Sequence, residues 1–231
     1  MSGPRVTTGV ASKQDYGTPA DFMAAVALRY GEVQLDLAAH RGNRKHERYF
    51  APPELCETFD PKKQDPSVVT RALVDHGADA TEAGRAVINA LTDGKKTEVR
   101  VRNHDTACLA FDSFKQDWAA MSARYSTDGR PALLFLNCEF SDVTPWARRC
   151  AKEAKRGANV VLLTPAVVAN WYRDIIAGVA DVAMCSGRLM FDGKNVYPKD
   201  CMVSHFHPGA TGRLCIWEWR TNHVTREWVL V

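Results

Sequence analysis

Three short segments place polar, small or aromatic residues directly after apolar runs that are typical of strands. They are His40-Arg41-Gly42-Asn43, Asn137-Cys138-Glu139-Phe140-Ser141 and Thr164-Pro165. In an open parallel sheet, ligands bind at the carboxyl ends of the strands. Ala38 and Ala39, just before the first segment, would let a cofactor approach the backbone. The three segments therefore predict a ligand site along one edge of a sheet.

Two other groups of side chains suggest different chemistry. The Cys138 thiol could attack a base as in cytosine-5 methyltransferases, but a reactive thiolate needs a lowered pKa and the adjacent Glu139 carboxylate raises it. Four further side chains are of types that suit zinc: Cys201, His205, His207 and Cys215. Their spacing matches no familiar zinc pattern, and the two histidines lie in a predicted strand. We predict no metal site.

A β-α-β unit positions the segment around Asn137. Residues 132–136 and 159–163 are continuous apolar runs, which are typical of strands buried on both faces of a parallel sheet. Residues 143–156 predict a helix with one apolar face and one basic face, and Gly157 follows as its C-terminal stop. Such units form right-handed crossovers. The basic face is either solvated or a contact for DNA phosphates.

Other elements flank this unit. Thr18 as N-cap and Pro19 at the first helical position predict a helix that runs to residue 30. Residues 51–66 contain four prolines and predict a connector. The remaining predicted elements are a strand over 33–39, helices over 67–75, 79–91 and 166–177, strands over 97–102, 181–191 and 201–206, and a closing hairpin over 214–231.

Composition limits the class of protein. The chain has 231 residues, of which 45% are hydrophobic and 25% charged, with a net charge of +3. These values exclude a disordered or collagen-like chain. Seven cysteines without a Cys-x-x-Cys pair favour a reduced, cytoplasmic protein. With no apolar run near the ~20 residues of a membrane span, we expect no membrane association. We predict one α/β domain over 1–231 with an insertion over 51–110.

Several short motifs keep a fixed order and carry a resemblance. They are Asp15-Tyr16-Gly17-Thr18-Pro19, Leu35-Asp36-Leu37-Ala38-Ala39, Asn43-Arg44-Lys45, Lys115-Gln116-Asp117-Trp118, Leu136-Asn137-Cys138-Glu139-Phe140-Ser141 and Ser186-Gly187-Arg188-Leu189-Met190-Phe191. With these motifs the chain resembles the phage-type Dam-like DNA adenine methyltransferases over about 15–50 and 112–220. The family has Asn-Pro-Pro-Tyr/Phe-Ser where this chain has Cys138-Glu139 between Asn137 and Phe140.

The resemblance implies a fold, a cofactor and a reaction. The fold is a Rossmann-like class I methyltransferase: a mostly parallel sheet with helices on both faces and a C-terminal antiparallel hairpin. The reaction is S-adenosylmethionine-dependent methylation of the exocyclic N6 amine of adenine in DNA, with the base extruded from the duplex. The implied catalytic residues are Asn137, Cys138, Glu139 and Phe140. The implied cofactor-binding residues are Tyr16, Thr18, Pro19, Asp36, Ala38 and Asp112.

The chemistry of an aromatic amine explains why a site for it would need residues of these types. The lone pair of the amine is delocalised into the ring, so acceptors must pyramidalise the nitrogen. The Asn137 side-chain oxygen and the backbone carbonyl of Cys138 could accept both amino hydrogens. Phe140 would stack on the extruded base. Glu139 would either stabilise the cationic nitrogen or repel DNA.

Two alternative functions follow from the difference between this motif and that of the family. The first is a catalytically decayed methyltransferase relative that acts as a DNA- or protein-binding module. The second keeps the enzyme and changes the acceptor to cytosine N4 or to RNA, because the same hydrogen bonds serve any exocyclic amine. A phage-encoded enzyme of either kind would act in the cytoplasm of its bacterial host.

Overall fold

The fold is seen in a computed structural model, which describes residues 17–39, 43–51, 56–59, 65–67, 70, 80–93, 97–100, 108–191 and 195–229. The α-helices are α1 (Ala20–Tyr30), α2 (Ala80–Asp93), α3 (Trp118–Arg124) and α4 (Val143–Ala154). The strands are β1 (Val33–Asp36), β2 (Tyr49–Ala51), β3 (Cys56–Phe59), β4 (Thr97–Arg100), β5 (Cys108–Phe111), β6 (Leu133–Asn137), β7 (Asn159–Pro165), β8 (Asp181–Cys185), β9 (Cys201–Phe206), β10 (Arg213–Glu218) and β11 (His223–Val229). Among these ranges, no helix has the length and apolar composition needed to cross a bilayer.

Within the described residues, nine strands form one mixed sheet in the order β11-β10-β8-β9-β7-β6-β1-β2-β5. Neighbouring strands are parallel except at two places. β9 runs antiparallel to both β7 and β8, and β11 runs antiparallel to β10. The predictions of an α/β fold, a mostly parallel sheet and a C-terminal antiparallel hairpin are confirmed.

The sheet carries a hydrophobic core on each face. Side chains of a strand alternate between faces, so Leu134 and Leu136 of β6 pack on one side while Leu133 and Phe135 pack on the other. α3 and α4 cover the first face with side chains that include Trp118, Ala147 and Cys150. α1 covers the second face with side chains that include Phe22 and Val26. The predicted helices on both faces are therefore present.

Several predicted boundaries are wrong because pairing across the sheet decides where a strand ends. β7 continues through Thr164 and Pro165, which pair with Met202 and Cys201 of β9. β8 ends at Cys185, and residues 186–191 form a loop instead of a strand. The helix predicted over 166–177 is reduced to residues 170–176, mostly a π-helical turn.

The connection between β2 and β5 contains a small sheet of its own. β3 and β4 pair antiparallel in a separate two-stranded sheet, so the predicted connector over 51–66 contains a strand. Most of the helix predicted over 67–75 lies outside the described residues. The assignment of 51–110 as an insertion remains a prediction.

Some of the basic side chains of α4 form ion pairs with a buried glutamate. Glu153 is an acidic residue of this helix, and its side chain is 0% exposed. Its carboxylate lies 3.2 Å from Arg149 Nη2 and 2.8 Å from Arg156 Nη1, and it accepts a hydrogen bond from the main-chain nitrogen of Ala119. The hydrogen bond from Ala119 attaches α4 to α3, whereas both ion pairs lie within α4 and the turn that follows it. The exposed basic side chains that remain are Arg148, Lys152 and Lys155.

Candidate active site

A cavity of about 390 Å³ lies at the carboxyl ends of β1 and β6. The strand order reverses between these two strands, since β2 and β5 lie beyond β1 while β7 lies beyond β6. Such a switch point is where open α/β sheets bind ligands, and the volume is within the ~300–1,000 Å³ of small-molecule sites. The lining residues are Gly17, Thr18, Asp36, Ala38, Asn43, Lys45, Phe135, Asn137, Cys138, Phe140, Phe191, Asn195, Val196, Tyr197 and Pro198.

Asn137, the last residue of β6, is held by a hydrogen bond from the start of α1. Its Nδ2 donates to Oγ1 of Thr18 at 3.0 Å, and the Thr18 side chain is buried. The predicted N-cap role of Thr18 is therefore wrong: Pro19 occupies that position without a side-chain cap, while the Thr18 hydroxyl binds Asn137. Because the amide nitrogen donates to Thr18, the amide oxygen is the acceptor that Asn137 can offer a ligand.

Asp36, the last residue of β1, places a buried carboxylate beside the cavity. It is 3% exposed. Its Oδ1 accepts from the Ala38 main-chain nitrogen at 3.3 Å, and its Oδ2 accepts from that of Lys45 at 2.9 Å. These bonds order the chain that leaves β1, so the carboxylate shapes this wall of the cavity and also supplies a negative charge there.

Sequence reasoning missed Lys45 and Asn43 as site residues, although both belong to a quoted motif. Lys45 is half-buried. Burial lowers the pKa of its ammonium, and the nearby Asp36 carboxylate opposes that shift. The position of the Asn43-Arg44-Lys45 motif, just after the first strand end, was the signal that could have identified these residues.

An aromatic cluster forms another wall. The ring centroids of Phe140, Phe191 and Tyr197 lie 5.3–6.0 Å apart, with the planes steeply inclined. Phe140 follows β6, whereas Phe191 and Tyr197 come from the connection between β8 and β9. Phe191 and Tyr197 were not predicted as site residues, because nothing local to residues 191–197 indicates which strand ends this connection will reach.

Cys138 and Glu139, which stand where the family has Pro-Pro, differ in their exposure to solvent. Cys138 is 5% exposed and packs in the core with Val143 and Cys150. Burial raises the pKa of its thiol to about 12, with Asp142 and Glu139 adding to the shift. A thiolate nucleophile is thus unfavourable at neutral pH. Glu139 is exposed and is not part of the cavity wall.

Three more predicted positions lie away from the cavity wall. Pro19 caps α1. Asp112 follows β5, accepts from the Phe114 main-chain nitrogen at 3.2 Å and pairs with Lys115 at 3.1 Å. Thr164, from the third predicted strand end, is buried within β7. Tyr16 lies outside the described residues.

The rings of His205 and His207 stack with their centroids 4.2 Å apart, but the four candidate zinc ligands do not form one group. Cys201 and Cys215 belong to the hydrophobic core. His205 Nε2 lies 2.7 Å from Asn159 Oδ1, and His207 pairs with Asp181 at 3.1 Å. Burial lowers the pKa of His205 to about 3. In the part of the chain that the structure describes, no three side chains of the His, Cys, Asp or Glu types are grouped as metal ligands.

The site thus combines an oriented amide, two opposite charges and an aromatic wall around one cavity. No protein-family model matches the chain, and no curated protein matches it. The chemistry that the arrangement can perform follows from these groups themselves.

Proposed function

We propose that the protein is an S-adenosylmethionine-dependent methyltransferase that modifies the exocyclic N6 amine of adenine in DNA. The observation that carries the proposal is the position of Asn137. It ends a central strand at the switch point of the sheet, is oriented by Thr18, and lines one cavity together with Asp36 and Phe140.

The strand order supports a Rossmann-like class I methyltransferase. The order β5-β2-β1-β6-β7 corresponds to the 3-2-1-4-5 arrangement of doubly wound sheets. An antiparallel strand inserted next to the last parallel strands is typical of this methyltransferase class, and β9 occupies such a position between β7 and β8.

The residues at the cavity fit the proposed cofactor. S-adenosylmethionine would supply an electrophilic methyl group carried on a cationic sulfur. The Asp36 carboxylate has the charge that attracts such a cation, and the small Ala38 side chain leaves room at the end of β1. Thr18, at the start of α1, completes the set of proposed cofactor residues that line the cavity.

The hydrogen-bonding groups after β6 suit an amine acceptor. Asn137 Oδ1 and the Cys138 carbonyl would each accept a hydrogen from the adenine amino group, which concentrates its lone pair on nitrogen. The amine oriented in this way would take the methyl group that S-adenosylmethionine supplies, and the electron pair of the broken bond would stay on sulfur. The methylated nitrogen would lose its extra proton to solvent. Phe140, supported by Phe191 and Tyr197, would stack on the extruded base and offset part of the few kcal/mol of unstacking.

The state of the cysteines supports a cytoplasmic location. Five cysteines in the described residues are unpaired and buried: Cys138, Cys150, Cys185, Cys201 and Cys215. Proteins of oxidising compartments commonly stabilise chains of this size with disulfides, whereas reducing compartments keep thiols free.

The direct test measures cofactor binding and product identity. We expect saturable binding of S-adenosylmethionine and, with labelled cofactor and adenine-containing DNA, label in N6-methyladenine after digestion to nucleosides. Label in N4-methylcytosine or in RNA would keep the methyl transfer and change the acceptor. Absence of saturable binding would contradict the proposal and favour a catalytically decayed methyltransferase relative. The observation that motivates this alternative is Cys138-Glu139 in place of Pro-Pro.

We expect the Thr18 hydroxyl to position Asn137. Thr18→Val preserves volume but removes the acceptor for Asn137 Nδ2, so the amide can rotate and kcat should fall about tenfold, the value of one hydrogen bond. Thr18→Ser keeps the hydroxyl and should retain most of kcat. The measurement is the single-turnover rate at saturating cofactor. Equal rates for the two variants would show that the hydroxyl does not act through Asn137.

A further inference from the structure

Two exposed arginines lie at the edge of the sheet that holds the cavity. Arg188 follows β8, and Arg220 follows β10. β8 and β10 run parallel to each other, and both run in the direction of β6 and β7, because β9 is antiparallel to β7 as well as to β8. The carboxyl ends of β8 and β10 therefore lie on the same edge of the sheet as those of β1 and β6.

The side chain of Arg220 is held in place by its neighbours. Its Cζ lies 4.1 Å from the ring centroid of Trp219, and its Nη2 donates to the Arg188 carbonyl at 3.3 Å. Trp219 is itself 4% exposed, and its Nε1 donates to the Gly187 carbonyl at 3.1 Å. The guanidinium lies so close to Gly187 that a β-carbon there would overlap Nη1. A side chain ordered in this way loses less entropy when it binds a ligand.

The guanidinium of Arg220 has hydrogen-bond donors to offer a ligand. It carries five N–H donors, one of which makes the bond to the Arg188 carbonyl. Among the residues that the structure describes, no carboxylate forms an ion pair with Arg220. Arg188 pairs with Asp200 at 3.4 Å, but both side chains are exposed and such pairs contribute little. Planar guanidinium cations bind phosphate oxygens through paired hydrogen bonds.

A short stretch of chain links the arginines to the wall of the cavity. Phe191 lines the cavity and is three residues after Arg188, so the two α-carbons are at most about 11 Å apart. The carbonyl of Leu189, next to Arg188, accepts from the main-chain nitrogen of Tyr197 at 2.7 Å, and Tyr197 also lines the cavity. A distance of about 11 Å corresponds to about three nucleotide steps along a DNA strand.

We propose that Arg220 and Arg188 bind a backbone phosphate of the DNA strand close to the base that enters the cavity. The inference rests on the proposed function, because it assigns a contact for the DNA substrate. Phosphate contacts fix the position of a strand without reading its sequence. The two arginines hold the strand while Asn137 and Phe140 contact the base.

The test measures DNA affinity as a function of salt concentration. Fluorescence anisotropy with a labelled, adenine-containing duplex gives the slope of log Kd against log salt. In Arg220→Gln we expect Kd to rise about five- to tenfold at ~0.1 M salt and the slope to fall by about 0.9, because one phosphate contact is lost. Arg188→Gln should change both quantities in the same direction. The weakening should be equal for duplexes that differ in sequence around the adenine.

Two further variants control for charge and for position. Arg220→Lys keeps the charge and should retain the salt slope, with part of the affinity lost because an ammonium binds phosphate as a point charge. Arg213→Gln removes an exposed arginine at the first residue of β10, on the opposite edge of the sheet. It should change neither Kd nor slope. Binding of S-adenosylhomocysteine, measured by calorimetry, should keep its Kd in all these variants and so reports on folding.

The outcomes separate this inference from the proposed function. An unchanged slope in Arg220→Gln, or an equal fall in Arg213→Gln, would overturn the phosphate contact while cofactor binding and methyl transfer stand. Absence of DNA binding by the unmodified protein would also overturn it. Arginine-dependent DNA binding without any binding of S-adenosylhomocysteine would confirm the phosphate contact and contradict the methyltransferase.

Discussion

Replacing Asn137 by alanine should lower kcat for methyl transfer about a hundred- to a thousandfold, as expected for a preorganised group that contacts the reacting atoms. The amide oxygen is the side-chain acceptor proposed for the adenine amine, and the structure orients it through Thr18. Binding of S-adenosylhomocysteine should change little, because Asn137 contributes to the acceptor rather than to the cofactor. Single-turnover methylation and calorimetry measure the two effects separately.

Three variants make this result specific. Asn159→Ala removes the same amide at the opposite end of the neighbouring strand β7 and should not change the rate of the folded protein. Cys138→Ala keeps the main-chain carbonyl and should stay within a few-fold of the original rate, since the thiol has no proposed part. Asn137→Asp retains an acceptor oxygen and should be faster than the alanine variant. Full activity of Asn137→Ala would show that the assigned role is wrong.

The second large effect concerns stability. Glu153→Ala should lower the free energy of unfolding by about 3–5 kcal/mol, because it leaves Arg149 without its buried counter-charge. Arg149 is 18% exposed in its side chain and also donates to the Gln116 carbonyl, so its cation stays enclosed. Urea unfolding followed by circular dichroism gives the free energy of unfolding for each variant.

A neighbouring pair provides the control. Asp117 pairs with Arg156 at 2.6 Å, with side chains 46% and 47% exposed, and also accepts from the Ala120 main-chain nitrogen. Asp117→Asn retains the helix cap and removes only an exposed ion pair, so it should cost less than about 1 kcal/mol. Equal costs for the two variants would contradict the distinction between the buried and the exposed pair.

The central β-α-β unit could be predicted from the sequence because its signals are local. A strand buried on both faces must be apolar throughout, and β6 and β7 show that pattern. A helix between them must alternate with a period near 3.6 residues, as α4 does. The end of β6 could be predicted in the same way, and with it the position of Asn137.

Features that depend on tertiary pairing could not be predicted. Nothing in residues 201–206 specifies that they insert between β7 and β8, and this insertion is what extends β7 through Pro165. The same limit applies to Thr18, because its neighbours in the sequence do not distinguish a hydroxyl that caps a helix from one that binds a distant amide. Glu153 reads as part of a solvated face until α3 is packed against it.

The antiparallel direction of β9 decides which part of the chain can reach a ligand. Two parallel neighbours need a crossover over the face of the sheet, whereas β8 and β9 can be joined by a return at one edge. The described residues of this return are 186–191 and 195–200, and its side chains Phe191 and Tyr197 line the cavity. Leu189 of the same return is instead buried in the core on the α1 side of the sheet. A single stretch of chain therefore contributes both to the core and to the cavity wall, so the position of a substitution along it should decide whether stability or ligand preference changes.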